Sequence, residues 1–303
     1  MYQHSRMATT GRCMKKVLLA SLKAWFDHRG ASKGAALAFY TLFATTPILL
    51  LAIAGAGYFF GAEAAQGEII FHLQRTVGPN GAQAIKALLA AAQNPASGRV
   101  ATIVAGVLML IGATSVFAEL KDSLDEMWGV PLHRHSALLN LLRTRLLAFV
   151  LVLVLAFVLF VSLVCGAAFA VFSRFVGGIW SSTALVVFSS LISLSITACL
   201  FTVIYKMLPE APLSWRDVWF GAVVTAGLFD LGKHAIGLYL GKSGVASSFG
   251  AAGSLIALLL WVYYSAQIFF LGAEFTRQYA LSFGSLKSEN PMTAAKDDED
   301  SGK

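Results

Sequence analysis

Six stretches of the chain are apolar for long enough to cross a bilayer: residues 34–60, 100–118, 146–172, 181–205, 218–240 and 249–273. At about 1.5 Å per residue, roughly 20 helical residues span a hydrocarbon core of about 30 Å. Lipid offers the backbone no hydrogen bonds, so each stretch is predicted to be a helix. Ahead of them, Met14, Val17, Leu18, Leu22, Trp25 and Phe26 recur at helical spacing within residues 12–28, while Lys15, Lys16 and Lys23 fall largely elsewhere. That pattern predicts an amphipathic helix. It fits a helix lying in the headgroup region on the cytoplasmic surface, and equally one packed on the cytoplasmic ends of the bundle.

Residues 61–99 are too polar to span but hold two helical patches, Glu68–Val77 and Ala82–Gln93, the second with Ile85, Leu88 and Leu89 spaced for one face. Gly78, Pro79, Asn80 and Gly81 between them signal a turn. A small extracytoplasmic helical hairpin between helices 1 and 2 is predicted. The expected fold class is therefore all-α: a polytopic membrane protein with six transmembrane helices, an amphipathic N-terminal helix and that hairpin.

The first span carries no charge and is long for the bilayer, so it must tilt, bend or overhang. Pro47 near its centre removes a backbone hydrogen bond and crowds the carbonyl of Phe43, which predicts a kink. Thr45 and Thr46 are placed to bond the freed groups. A bent wall and a gate both fit, the wall being the commoner use. The span begins too late and runs too long for a cleaved signal peptide.

Six spans put both termini on one side, and charge identifies the side. Five basic residues, Arg75, Lys86, Arg99, Arg174 and Lys242, fall outside and Lys233 falls in the membrane, leaving seventeen of the 23 Lys and Arg residues inside. Both termini are thus expected in the cytoplasm. Residues 1–33 form a cytoplasmic segment, 34–280 the transmembrane domain, and 281–303, ending in charged residues, a disordered tail.

Hydrophobic residues make up 57% of the chain and charged residues 13%, against about 25% charged in an ordinary globular domain. The net charge of +7 suggests nucleic acid only until the basic residues are seen to cluster at span ends. The expected partners are the lipid bilayer and a lipid or small-molecule substrate, with no nucleic acid. Cys13, Cys165 and Cys199 have neither metal nor disulfide spacing. His133-Arg134-His135 resembles the start of a metal-hydrolase motif, but no Asp-His follows. No phosphate-binding glycine loop is present. The expectation is of no catalytic residue, no metal and no cofactor.

The candidate polar site lies in the fifth span, where Asp230 precedes Lys233 by three and His234 by four. Near mid-membrane such groups are costly and should face protein or a water-filled cavity. A local ion pair that orients the helix and a site for an ion, proton or anionic headgroup fit equally. Glu274, followed at i+3 by Arg277, is a candidate carboxylate at the end of the sixth helix, expected to be solvated. Glu119, Asp122 and Glu126 form an acidic stripe where the second helix continues into the cytoplasm. Gly57 and Gly61, Gly237 and Gly241, and Gly250 and Ser254 are spaced for close helix packing, and the glycine- and serine-rich connection 241–254 is expected to be a loop.

Residues 248–277, SFGAAGSLIALLLWVYYSAQIFFLGAEFTR, resemble the signature of the YihY/virulence factor BrkB family of bacterial inner-membrane proteins. So do Ala38-Phe39-Tyr40 with Pro47 seven residues on, the segment from Leu120 to Val130 ending Met-Trp-Gly-Val, and Leu208-Pro209 with Trp215-Arg216 and Gly221-Ala222. The likeness covers about residues 20–280. Where relatives often carry Ser and Asn, this chain has Ala44 and Asp125. The resemblance implies six transmembrane helices and an inner-membrane location, and a transporter or virulence-associated role. Some relatives are labelled ribonuclease BN, but no metal or acid–base cluster for cutting RNA can be assembled here. The function expected is transport or export of a membrane-associated substrate, a lipid or envelope precursor, through a cavity involving helices one, five and six. The alternative is a structural or scaffolding envelope protein working through the acidic stripe and the hairpin; a ribonuclease ranks below both.

Overall fold

The structure, a computed structural model, describes residues 2–93, 115–130, 182–211, 213–242, 249 and 252–286. These form helices α1 (Tyr2–Asp27), α2 (Gly30–Phe60), α3 (Ala62–Gln93), α4 (residues 115–127), α5 (Ser182–Met207), α6 (Trp215–Lys242) and α7 (Gly253–Phe283). Among the described residues there is no strand. Two of the helical stretches there, Ser190–Met207 and Gly253–Phe283, are long and apolar enough to cross a membrane. The predicted third span, most of the second, and the His133–His135 motif lie outside the described residues, as do eight of the fourteen residues of the 241–254 connection.

Two compact units divide the chain: one of residues 1–30, 121–230 and 269–303, the other of 31–120 and 231–268. In the second unit, Leu49 and Ile53 of α2 pack with Val77, Ala84, Ile85 and Leu89 of α3 and Leu258 of α7. Ile236 and Leu240 of α6 close on Ala257 of α7. α3 starts at Ala62, six residues before the predicted patch, and its helical path breaks at Gly78, whose φ of 80° and ψ of 173° are not helical. The left-handed φ suits a residue without a Cβ, and Pro79 follows directly. α2 continues as helix through position 47, and the Thr45 hydroxyl donates to the Thr41 carbonyl at 2.6 Å.

The first unit is organised around the crossing of α6 and α7. Gly221 and Thr225 of α6 oppose Thr276 and Gly272 of α7, one glycine and one threonine from each helix. A Cβ on Gly221 would come within 1.9 Å of Thr276 Oγ1, and one on Gly272 within 2.1 Å of Thr225 Oγ1. Each threonine hydroxyl donates down its own helix, Thr225 to Gly221 O at 2.8 Å and Thr276 to Gly272 O at 2.7 Å. The hydroxyls are thereby satisfied and the backbones approach closely, as small residues permit. Of the glycines predicted for close packing, a Cβ on Gly61 or Gly237 would meet nothing within 4 Å among the described residues; spacing alone does not say which face a glycine lies on.

α7 corrects the predicted end of the sixth helix. It runs on to Phe283, because no glycine or proline interrupts residues 273–283 and Gly284 is the first stop signal. Residues 281–283 are thus helix, and Leu286 is buried, so a disordered tail cannot begin at 281. Ser214 caps α6 through a bond from the Asp217 amide. Asp217 accepts bonds from the amide and hydroxyl of Ser285 at 2.7 and 2.8 Å. One carboxylate thereby ties the start of α6 to the end of α7.

Candidate functional site

The strongest polar feature of the first unit is assembled where α1 ends. His28 follows the last residue of α1, and Arg29 takes a left-handed φ of 53° before α2 begins. Gly30 permits this tight reversal, since a Cβ there would meet the Trp25 indole at 2.2 Å. The turn delivers the His28 ring to α7, where Nδ1 of His28 and Oε1 of Glu274 are hydrogen-bonded at 2.6 Å.

Glu274 is 0% exposed, so the expectation of a solvated helix-end carboxylate is overturned. The helix that carries it continues for nine residues, and residue 274 faces protein rather than water. Among the described residues, its other oxygen, Oε2, is buried without a hydrogen-bond partner, and so is Nε1 of Trp25. Beside it the Trp128 indole donates to the Ala273 carbonyl at 3.1 Å. Arg277, one turn further on, lies against Gly129, where a Cβ would come within 2.9 Å of its guanidinium. Gly129 has φ 72° and ends α4 in a Schellman motif, its amide bonding Glu126 O and the Val130 amide bonding Asp125 O.

A second network lies on α4 itself. Asp125, 5% exposed, accepts from Lys121 Nζ and from the Glu210 amide at 2.9 Å. Lys121 also reaches the Glu210 carboxylate at 3.4 Å. The predicted acidic stripe borders this network without containing its centre: Glu119 is half-buried, and Asp122 and Glu126 are exposed. Nearby, Tyr205 is fully buried and donates to the Phe269 carbonyl at 2.7 Å.

On α6, Asp230 and Lys233 are half-buried and His234 is exposed. Asp230 belongs to the first unit, Lys233 and His234 to the second. Among the described residues no three His, Cys, Asp or Glu side chains are grouped to hold a metal ion. Sequence reasoning missed His28 and the burial of Asp125. The available signals were the Arg29-Gly30 reversal after an amphipathic helix, and an Asp that is off the face of the charged stripe.

Residues 21–297 match the family model for virulence factor BrkB. A UPF0761 membrane protein of Pseudomonas aeruginosa is 25% identical over 251 residues, which is 81% of this chain and 58% of that one. UPF0761 membrane proteins of Tolumonas auensis and Verminephrobacter eiseniae are 35% and 38% identical over 74 residues, 24% of this chain and 24% and 18% of theirs. In each case the chain spans less than two-thirds of the relative's length. No solved structure matches.

Proposed function

The chain belongs to the virulence factor BrkB family of membrane proteins, and from that premise we propose that it is a transporter. It moves a membrane-associated substrate, a lipid or envelope precursor, across the bacterial inner membrane, with both termini in the cytoplasm. Glu274 and His28 form its working centre, and Asp230, Lys233 and His234 on α6 a second polar station.

The observation that carries this reading is the buried Glu274 Oε2, which has no hydrogen-bond partner among the described residues. Withdrawing an ion from water costs several kcal/mol, and apolar side chains of similar volume often serve stability as well or better. A carboxylate retained in that setting suits a group that takes up and releases a proton, a cation or a substrate ammonium in the course of a cycle. The name carried by the relatives, membrane protein, is consistent with this and specifies no enzyme.

The test replaces the chromosomal gene with Glu274→Gln, Asp230→Ala or Lys233→Ala, with membrane levels confirmed by immunoblot. Each variant is expected to insert normally and to fail to restore the deletion phenotype, Glu274→Gln most completely. Full restoration by all three, with loss on exchanging residues 61–99 for an unrelated loop, would favour a scaffolding protein and overturn the transport reading.

A further inference from the structure

α1 has two unlike long faces. Val17 and Ser21 point into the first unit at 2% and 1% exposure, and the Ser21 hydroxyl is internally satisfied by the Val17 carbonyl at 2.7 Å. On the other side Leu18, Leu19, Leu22 and Phe26 are exposed, Leu19 to 68% and Phe26 to 70%. Placed at about 100° per residue, these four cover a continuous arc of roughly 100°. Lys16 and Lys23 border that arc, Lys15 lies within it, and all three are exposed.

We propose that this outward face of α1 docks into a bilayer leaflet rich in anionic headgroups. The occupant is identified by charge and form together. A row of large apolar side chains bordered by flexible cations matches the acyl–headgroup boundary, where lysine stems stretch back to phosphates while the apolar groups enter the tails. A protein partner would have to meet the same apolar row and also bring acidic groups to three lysines. An anionic leaflet supplies both at once, and the attraction falls off within a Debye length. The inward edge of the same helix leads to His28, so a docked α1 holds the Glu274 partner from outside the bundle. The docking does not depend on the transport reading.

The test uses the full chain, with its three cysteines replaced by serine, in nanodiscs of phosphatidylcholine with or without phosphatidylglycerol. Single cysteines at Leu19 or Phe26 carry an environment-sensitive dye, which is challenged with doxyl-labelled lipid and with aqueous iodide. The expected result is strong quenching by doxyl lipid and shielding from iodide, both increased by phosphatidylglycerol. The increase should disappear when Lys15, Lys16 and Lys23 are all replaced by Gln, or at high salt. Free access of iodide overturns the proposal. Shielding from both quenchers also overturns it, because a protein surface then covers the face. Equal lipid quenching with and without phosphatidylglycerol overturns the anionic preference that the lysines imply.

Discussion

Nδ1 of His28 and Oε1 of Glu274 stand 2.6 Å apart across a sequence separation of 246 residues. The imidazole is 26% exposed and the carboxylate 0%, so the partners depend on each other unequally. His28→Ala leaves a fully buried carboxylate with no hydrogen-bond partner on either oxygen among the described residues. Breaking such a pair from one side costs about 3 kcal/mol. Thermal unfolding of the detergent-solubilised protein should register that loss, and Glu274→Gln in the same chain should recover most of it.

The crossing of α6 and α7 tolerates no added atom at its two glycines. Gly221→Ala and Gly272→Ala each place a methyl group inside the contact radius of an opposing threonine hydroxyl, and overpacking of this kind costs about 1–3 kcal/mol. Thr276→Ala should return part of the stability lost in Gly221→Ala, since it deletes the nearest clashing atom. The melting temperatures of the two single variants and the double variant check this; equal losses in Gly221→Ala with and without Thr276→Ala would contradict it.

Lys121 makes stability depend on pH at the alkaline end. Burial pulls its pKa down, but the hydrogen bond and charge of Asp125, joined by Glu210, outweigh burial and hold the ammonium above its ordinary value of 10.5. A cationic group whose pKa is raised on folding stabilises fully below the unfolded value and loses that contribution as pH rises through the folded one. Lys121→Gln should therefore be less stable by about 1.5 kcal/mol at neutral pH. The gap should stay constant up to about pH 10 and shrink above it, as chemical unfolding at a series of pH values would show.

Much of the helical framework was legible in the apolar runs. The run 181–205 lies within a residue or two of α5, and the glycine–proline signal marks the break at Gly78, because both depend on local chemistry. The end of α7 was not legible. Hydropathy stops at Glu274, yet the helix does not, since an ionic side chain buried by tertiary contacts looks in sequence like one at a membrane surface. Asp125 was hidden for the same reason: its partner, the Glu210 amide, is 85 residues away, and the neighbouring acidic stripe drew attention to the solvated face of the same helix. The glycines misled where spacing was the only guide: Gly237 was spaced for close packing yet a Cβ there would meet nothing within 4 Å among the described residues, whereas Gly221, named only in the family likeness, meets Thr276.

The measurement that goes most directly to the role of Glu274 is Glu274→Met, with melting temperature and complementation of the deletion read on the same preparation. Methionine keeps the volume and removes the buried charge, and the His28 ring left behind is 26% exposed and keeps water as a partner, so the exchange should cost little stability, unlike one that leaves a charge buried and unpaired. If Glu274 is retained for function, the variant melts at the same temperature or higher and fails to complement. A variant that melts several degrees lower and complements fully would contradict the account, because Glu274 would then be a structural residue.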